Sequence, residues 1–341
     1  MSKWHKITLK ILLAVTLTTT SIYVFAPWEY GLYYVKPLPL SIEAEAKLAT
    51  QHGLDGIIIY TQSGNEPGKT VADGWHNRVN AKPADGEALF KIASIAKLYE
   101  AVAATKLIAA NQLDVNRSIA HYLPELASRI EYSDRISVKM LITHRSGIPN
   151  FTDQDGFDWA SNDIDIFALM LDKPADFAPD TDYAYSNSNY LLLTQIMNNI
   201  LGYDYTQFIQ SAILDPLELN RTFFSIHDVD MADLMSGYYV GYEDDLKYLD
   251  QGYVATAKDV GKFIRALNKG TVFTDKEANI YQSLYEYGHT GWVLGYSSIA
   301  YYHNDIDTVV VQFTNTTGDD RVLLTQINYA RILDILRTNL P

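Results

Sequence analysis

The sequence predicts an α/β (α+β) protein, with one lobe built from both chain ends and a mainly helical lobe inserted between them. Strand-like runs cluster near residues 56–75 and 296–314, while Ala- and Leu-rich stretches with helical spacing fill the middle. The 341 residues, 48% of them hydrophobic, suffice for two packed lobes around a large core.

The first element is a membrane signal. Lys3, His5, Lys6 and Lys10 precede a largely apolar run over residues 11–26, the pattern of a signal peptide or signal anchor. Thr16, Thr18, Thr19 and Thr20 dilute the run, which lies between those two types in length. Val24-Phe25-Ala26 offers a peptidase site, but Pro27 just after the cut is awkward. Trp28, Tyr30, Tyr33 and Tyr34 follow like an interfacial aromatic belt. Residues 1–34 are therefore expected to hold the chain in a membrane with the body on its outer face, cleavage and release being the alternative.

Residues 35–41 contain two prolines and read as a tether. A helix over 42–51 comes next, then a strand over 56–60 with a hairpin partner over 69–75. Residues 88–91 lead into a helix over 94–110, apolar at Leu98, Val102, Ala103 and Leu107. Helices follow over 139–144, ended by Ser146-Gly147-Ile148-Pro149, over 189–201, stopped at Gly202, and over 259–267. Strands over 296–303 and 308–314 turn through Asn304-Asp305, and a helix over 321–336 closes the chain. The folded body spans 42–338, with the helical lobe at roughly 110–250.

Composition removes several function classes. A net charge of −14 disfavours nucleic acid as a partner, because phosphate binding needs clustered Lys and Arg. With no cysteine, disulfides, thiolate catalysis and Cys-ligated metal are excluded. No H-E-x-x-H, Walker or G-x-S-x-G motif occurs, and neither a metal nor a cofactor is expected. The partner is a small molecule or peptide, and the oligomeric state stays open.

Three short motifs carry the chemistry. In Ser94-Ile95-Ala96-Lys97, positions three apart share a helix face. At a helix start, Ser94 meets unpaired backbone N–H groups and the positive dipole end, which suits an alkoxide. A desolvated Lys97 can help take its proton. In Tyr185-Ser186-Asn187, the phenol is a candidate base and later acid, and Asn187 a residue that orients the lysine or a substrate amide. In His289-Thr290-Gly291, followed by Trp292, the glycine lets substrate approach the backbone, a following N–H can serve an oxyanion, and His289 and Thr290 shape the pocket. His52, His76, His121, His144, His227 and His303 are scattered and read as structural.

Together, in this order, the three motifs resemble the penicillin-recognising serine hydrolases, whose set combines S-x-x-K, a central motif ending in Asn and a K-T-G-like triad. Tyr-Ser-Asn is similar to the class C β-lactamase branch, and His-Thr-Gly to its DD-carboxypeptidase and esterase relatives. Residues 90–93, 141–149, 253–259 and 288–292 extend the resemblance, which covers roughly residues 42–338. It implies a β-lactamase/transpeptidase-like fold, an antiparallel sheet flanked by helices with the site between sheet and helical lobe. It implies Ser94 as nucleophile, Lys97 as activator, Tyr185 as general base, Asn187 as a positioning residue, and the N–H groups of Ser94 and Trp292 as the oxyanion hole.

The chain departs from that pattern in places. His289 replaces the usual lysine, which weakens attraction for a carboxylate. Trp292 stands where relatives carry a small residue, and Arg145 where a small polar one is common. No deacylating Glu of the class A type can be assigned. The expected activity is a Ser94 acyl-enzyme hydrolase of amides or esters, with a D-Ala-type envelope peptide first. A D-amino acid amidase, a short-chain esterase or a weak β-lactamase are alternatives. The rival from another class is a non-catalytic penicillin-binding sensor or envelope scaffold.

Overall fold

The computed structural model describes residues 3–25, 28–318 and 321–338. Helix α1 (Lys3–Phe25) is long and apolar enough to cross a membrane. Ala26 and Pro27, on which the cleavage argument turned, lie outside the described residues.

The body is built around a six-stranded sheet whose two halves come from opposite ends of the chain. Its early strands are β1 (Gly56–Ser63), β2 (Lys69–Asn77) and β3 (Lys82–Pro83). The short β4 (Phe90–Lys91), β5 (Thr222–Phe223), β6 (Tyr238–Tyr239) and β7 (Val254–Ala255) lie outside it. The late strands are β8 (His289–Val293), β9 (Tyr296–His303) and β10 (Thr308–Thr314), with β11 (Thr316–Thr317) beyond. The order is β3-β2-β1-β10-β9-β8, antiparallel throughout. The ends join where β1 pairs β10, from Ile57 opposite Thr314 to Ser63 opposite Thr308.

Ile57, Ile58 and Ile59 are all fully buried, as a strand covered on both faces requires. On one face lie α2 (Trp28–Val35), α3 (Ile42–Gln51) and α12 (Arg321–Thr338). Ser41 caps α3 by accepting from the Ala44 N–H. On the other face lie α4 (Ala96–Ala109), α5 (Ile119–Tyr122), α6 (Val138–Ile142), α7 (Ile166–Met170), α8 (Asn187–Leu201), α9 (Tyr205–Ile209), α10 (Ala257–Lys269) and α11 (Asp275–Tyr281). Helix α10 runs from its Thr256 cap to Gly270, whose φ of +74° ends it. It buries Val260, Phe263, Ile264 and Leu267, one helical stripe. Helix α4 is buried on nearly every side, which makes it the axle of the helical lobe.

Three expectations shift. Within the stretch 110–250 expected as helical, the long helices give way after Leu214 to β5, which pairs β7 within a β4-β7-β5 sheet, and to two isolated 3-10 turns at Ile226–Asp228 and Leu246–Tyr248. Residues 28–36 pack on the body ahead of the expected start at 42. Tyr30 and Tyr33 of the expected aromatic belt are buried, while Trp28 and Tyr34 stay exposed. The cause is Arg331, fully buried on α12. It pairs with Glu45 at 2.7 and 2.9 Å and donates to the carbonyls of Tyr33 (3.1 Å) and Lys36 (2.7 Å). The Tyr33 hydroxyl also donates to Glu45. Lastly, α4 begins at Ala96 rather than Ser94, because Ala93–Ile95 form a 3-10 turn before it.

Candidate active site

The 3-10 turn holds Ser94 at the mouth of α4, and Ala93 just before it has φ +49°, a left-handed conformation rare outside glycine. Strand β8, the sheet edge, braces this turn. A Cβ on Gly291 would lie 2.4 Å from both the Ile92 carbonyl oxygen and the Ser298 hydroxyl. Glycine is therefore needed for strand and turn to approach. Ser298 Oγ donates to that same carbonyl at 3.0 Å.

Two side chains converge on Ser94 Oγ. The Tyr185 hydroxyl donates to it at 2.8 Å, and Lys97 Nζ donates at 3.2 Å. Lys97, 8% exposed, also donates to Asn187 Oδ1 at 2.8 Å. Asn187 is the first residue of α8, after the extended Ser186, so the Tyr185-Ser186-Asn187 turn is the entry of that helix. Asn150 Oδ1 accepts from the Asn187 backbone N–H at 3.0 Å and from its side-chain amide at 3.3 Å. That fixes which face of the amide meets the lysine.

Tyr185 is held from behind. His144 packs its ring against the Tyr185 ring, centroids 4.4 Å apart and planes tilted by 33°, and its Nδ1 accepts from the Ser186 N–H at 3.2 Å. Burial, then the charge of Lys97, pushes His144 down to about 3 and keeps it neutral. Arg145 has a partner as well: Nε pairs with Asp180 at 2.6 Å and an Nη donates to the Asp180 carbonyl at 2.7 Å. It ties the segment before Tyr185 to the end of α6.

His289 on β8 is nine-tenths buried, and its Nδ1 donates to the Thr290 carbonyl. Its Nε2 therefore accepts from the Tyr285 hydroxyl at 3.1 Å, whose own proton burial retains. Burial and Lys97 lower His289 to about 4, against the Thr290 bond that raises it. The residue is a neutral imidazole at pH 7.

Ser94, Tyr185, Asn187, His289, Thr290 and Trp292 line one cavity of about 470 Å³. Ser94, Lys97, Asn187 and Trp292 line a second of about 420 Å³. Trp292 stands at the junction, edge-to-face with Trp159 at 5.2 Å. Gly291 lies behind the serine turn and lines neither cavity. No cluster of three or more metal-ligating side chains occurs among the described residues.

Sequence reasoning missed His144, Asn150, Tyr285 and Glu100. His144 reads from its spacing as one of the scattered structural histidines, although it lies within the stretch 141–149 that carries the resemblance. Glu100 sits three residues after Lys97, on the same face of α4. That spacing was the available signal.

The family profile described as Beta-lactamase matches residues 46–285. Protein flp of Staphylococcus aureus (strain MW2) is 29% identical over 138 residues, 40% of this chain and 28% of that protein. Penicillin-binding protein 4* of Bacillus subtilis (strain 168) is 24% identical over 181 residues, 51% of this chain and 39% of that protein. The chain thus matches well under half the length of these curated relatives. Among solved structures, a D-amino acid amidase from Ochrobactrum anthropi SV3, complexed with L-phenylalanine amide, superposes with a TM-score of 0.74 at 19% identity. The match covers 87% of this chain and 97% of that one. A penicillin binding protein from Bacillus halodurans gives 0.73 at 18% identity over 86% and 100%. At these identities the structural likeness is one of fold.

Proposed function

Because this chain belongs to the beta-lactamase family, we propose that it is a serine hydrolase that forms an acyl-enzyme on Ser94 from an amide or ester. The observation that carries the reading is the convergence of Tyr185 and Lys97 on one hydroxyl. Ser94 Oγ attacks the substrate carbonyl carbon and forms the new C–O bond. Its proton passes to the Tyr185–Lys97 pair, which takes it in the form one proton short of the two donors that surround Ser94, and from there to the departing nitrogen or oxygen as the scissile bond breaks. The N–H groups of Ser94 and Trp292 are the proposed oxyanion donors, since both residues line the cavities. Water then attacks the ester carbonyl and gives a proton to the same pair, which passes it to Ser94 Oγ as the acyl C–O bond breaks and the acid is released.

Asn187 holds Lys97 in reach of Ser94, and Asn150 holds Asn187. His144 keeps the Tyr185 ring in place without competing for its proton, because burial makes the imidazole too weak a base to take it. His289 and Thr290 shape the wall where the leaving group departs.

The D-amino acid amidase among the similar structures supports D-aminoacyl amides beside D-Ala peptides as first substrates. A panel of p-nitrophenyl esters, D-amino acid amides, D-Ala-D-Ala peptides and nitrocefin tests the reading on wild type and Ser94→Ala. Turnover of at least one amide or ester, reduced about 10³-fold or more in Ser94→Ala, is expected. Turnover that survives the substitution would remove Ser94 from the reaction.

A further inference from the structure

Charge in the cleft is one-sided. Among the described residues lining its two cavities, Lys97 is the one Lys or Arg, and it is engaged by Ser94 and Asn187. His289, where a lysine is usual, is neutral, and Glu286 stands nearby on the same wall. A carboxylate on the substrate would meet acids here and no free cation, which costs affinity on either side.

The cavity of about 420 Å³ has the opposite preference. Its acids are Glu100, Asp158 and Asp250. Phe157, Trp159, Phe224 and Trp292 add aromatic walls, whose faces attract cations. Glu100 is distinct among the acids. It is 7% exposed, on α4 one turn beyond Lys97, and its hydrogen-bonding neighbour is the Tyr205 hydroxyl. Burial pushes it up to about 7, only partly offset by Lys97. A carboxyl so desolvated regains its charge when a second cation arrives beside it.

We propose that this cavity takes the acyl part of the substrate, that this part carries a protonated amine, and that Glu100 is the anion the amine meets. The proposal rests on the Ser94 acyl-enzyme reading and narrows its substrate class to amine-bearing amides or esters without a carboxylate, which puts D-aminoacyl amides ahead of D-Ala peptides, whose free carboxylate this cleft disfavours. Lys97 and the ammonium flank Glu100 from two sides, so the substrate's charge is balanced without drawing Lys97 away from Ser94. The aromatic walls exclude water from the ammonium's methylene chain while their faces meet its charge.

Three p-nitrophenyl esters of equal length test it: 6-aminohexanoyl, heptanoyl and the heptanedioic half-ester, which end in ammonium, methyl and carboxylate. The full chain is expected to hydrolyse the ammonium ester with kcat/KM about tenfold above the methyl ester, and the carboxylate ester slowest. In Glu100→Gln the ammonium-to-methyl ratio is expected to fall to within about twofold of one. Equal rates for ammonium and methyl esters in wild type overturn the proposal. A ratio unchanged in Glu100→Gln overturns the role of Glu100. Should that variant not fold, the wild-type ratios decide alone. Ser94 phosphonylation by a fluorophosphonate, measured in parallel, separates the two readings. A protein that labels but shows no ammonium preference fails here only, and one that neither labels nor hydrolyses any ester fails the acyl-enzyme reading beneath it.

Discussion

Tyr185 reaches Ser94 as a donor on a ring fixed by His144, and its hydroxyl can be removed without disturbing that ring contact. Tyr185→Phe is expected to lower kcat/KM by about 10²–10⁴ with an unchanged Tm, since a lost proton carrier costs that much. A loss under about fivefold would assign the proton transfer to Lys97 alone. Glu100 gives a second residue-level test. Its folded value is raised to about 7, above the ordinary carboxyl value, so the unfolded chain ionises first as pH rises. Wild type therefore loses stability between about pH 4.5 and 7, and Glu100→Gln does not. The variant's stability relative to wild type is expected to climb across that window by up to about 3 kcal/mol and then level off. Thermal melts at pH 5 and pH 8 measure it, and a difference that stays constant contradicts the burial argument. The motif residues were legible in the sequence because short spacings bring Ser94 to Lys97 and Tyr185 to Asn187. His144 and Asn150 were not, since each acts through a partner about forty residues away.

The elements show the same division. Strands β9 and β10 were legible from their β-branched and aromatic content, and α8 and α10 from their apolar stripes and terminal glycines. The β4-β7-β5 sheet was not, because two-residue strands have no period to read. Helix α2 was misjudged for a different reason: Trp and Tyr serve a membrane belt and a buried face equally well. What decides its place is Arg331, some three hundred residues away in sequence. Among the described residues, Glu45 is the one carboxylate on that buried guanidinium. Glu45→Gln, which leaves the charge inside without its counterion, is expected to cost about 3–5 kcal/mol. Chemical denaturation would show it, and a loss below about 1 kcal/mol would mean that the carbonyls of Tyr33 and Lys36 suffice.

For the molecule as a whole, closing the sheet from both chain ends puts β8 at an edge, and the edge is what braces the Ser94 turn. The helical lobe then supplies Lys97 from α4 and Tyr185 and Asn187 from the entry of α8, so the proposed site exists only where the lobes meet. The α/β (α+β) class and the antiparallel sheet follow the sequence expectation, and the family agrees with them. The charge of the cleft did not follow from net charge, because −14 over the whole chain says nothing about which acids face Ser94. The most direct test of the central claim is intact-mass and peptide-mapping mass spectrometry after treatment with a fluorophosphonate. One phosphonyl group per chain, mapped to Ser94 and absent from Ser94→Ala, is the predicted result. Folded wild-type protein that gains no mass, or that is labelled equally in Ser94→Ala, would contradict it.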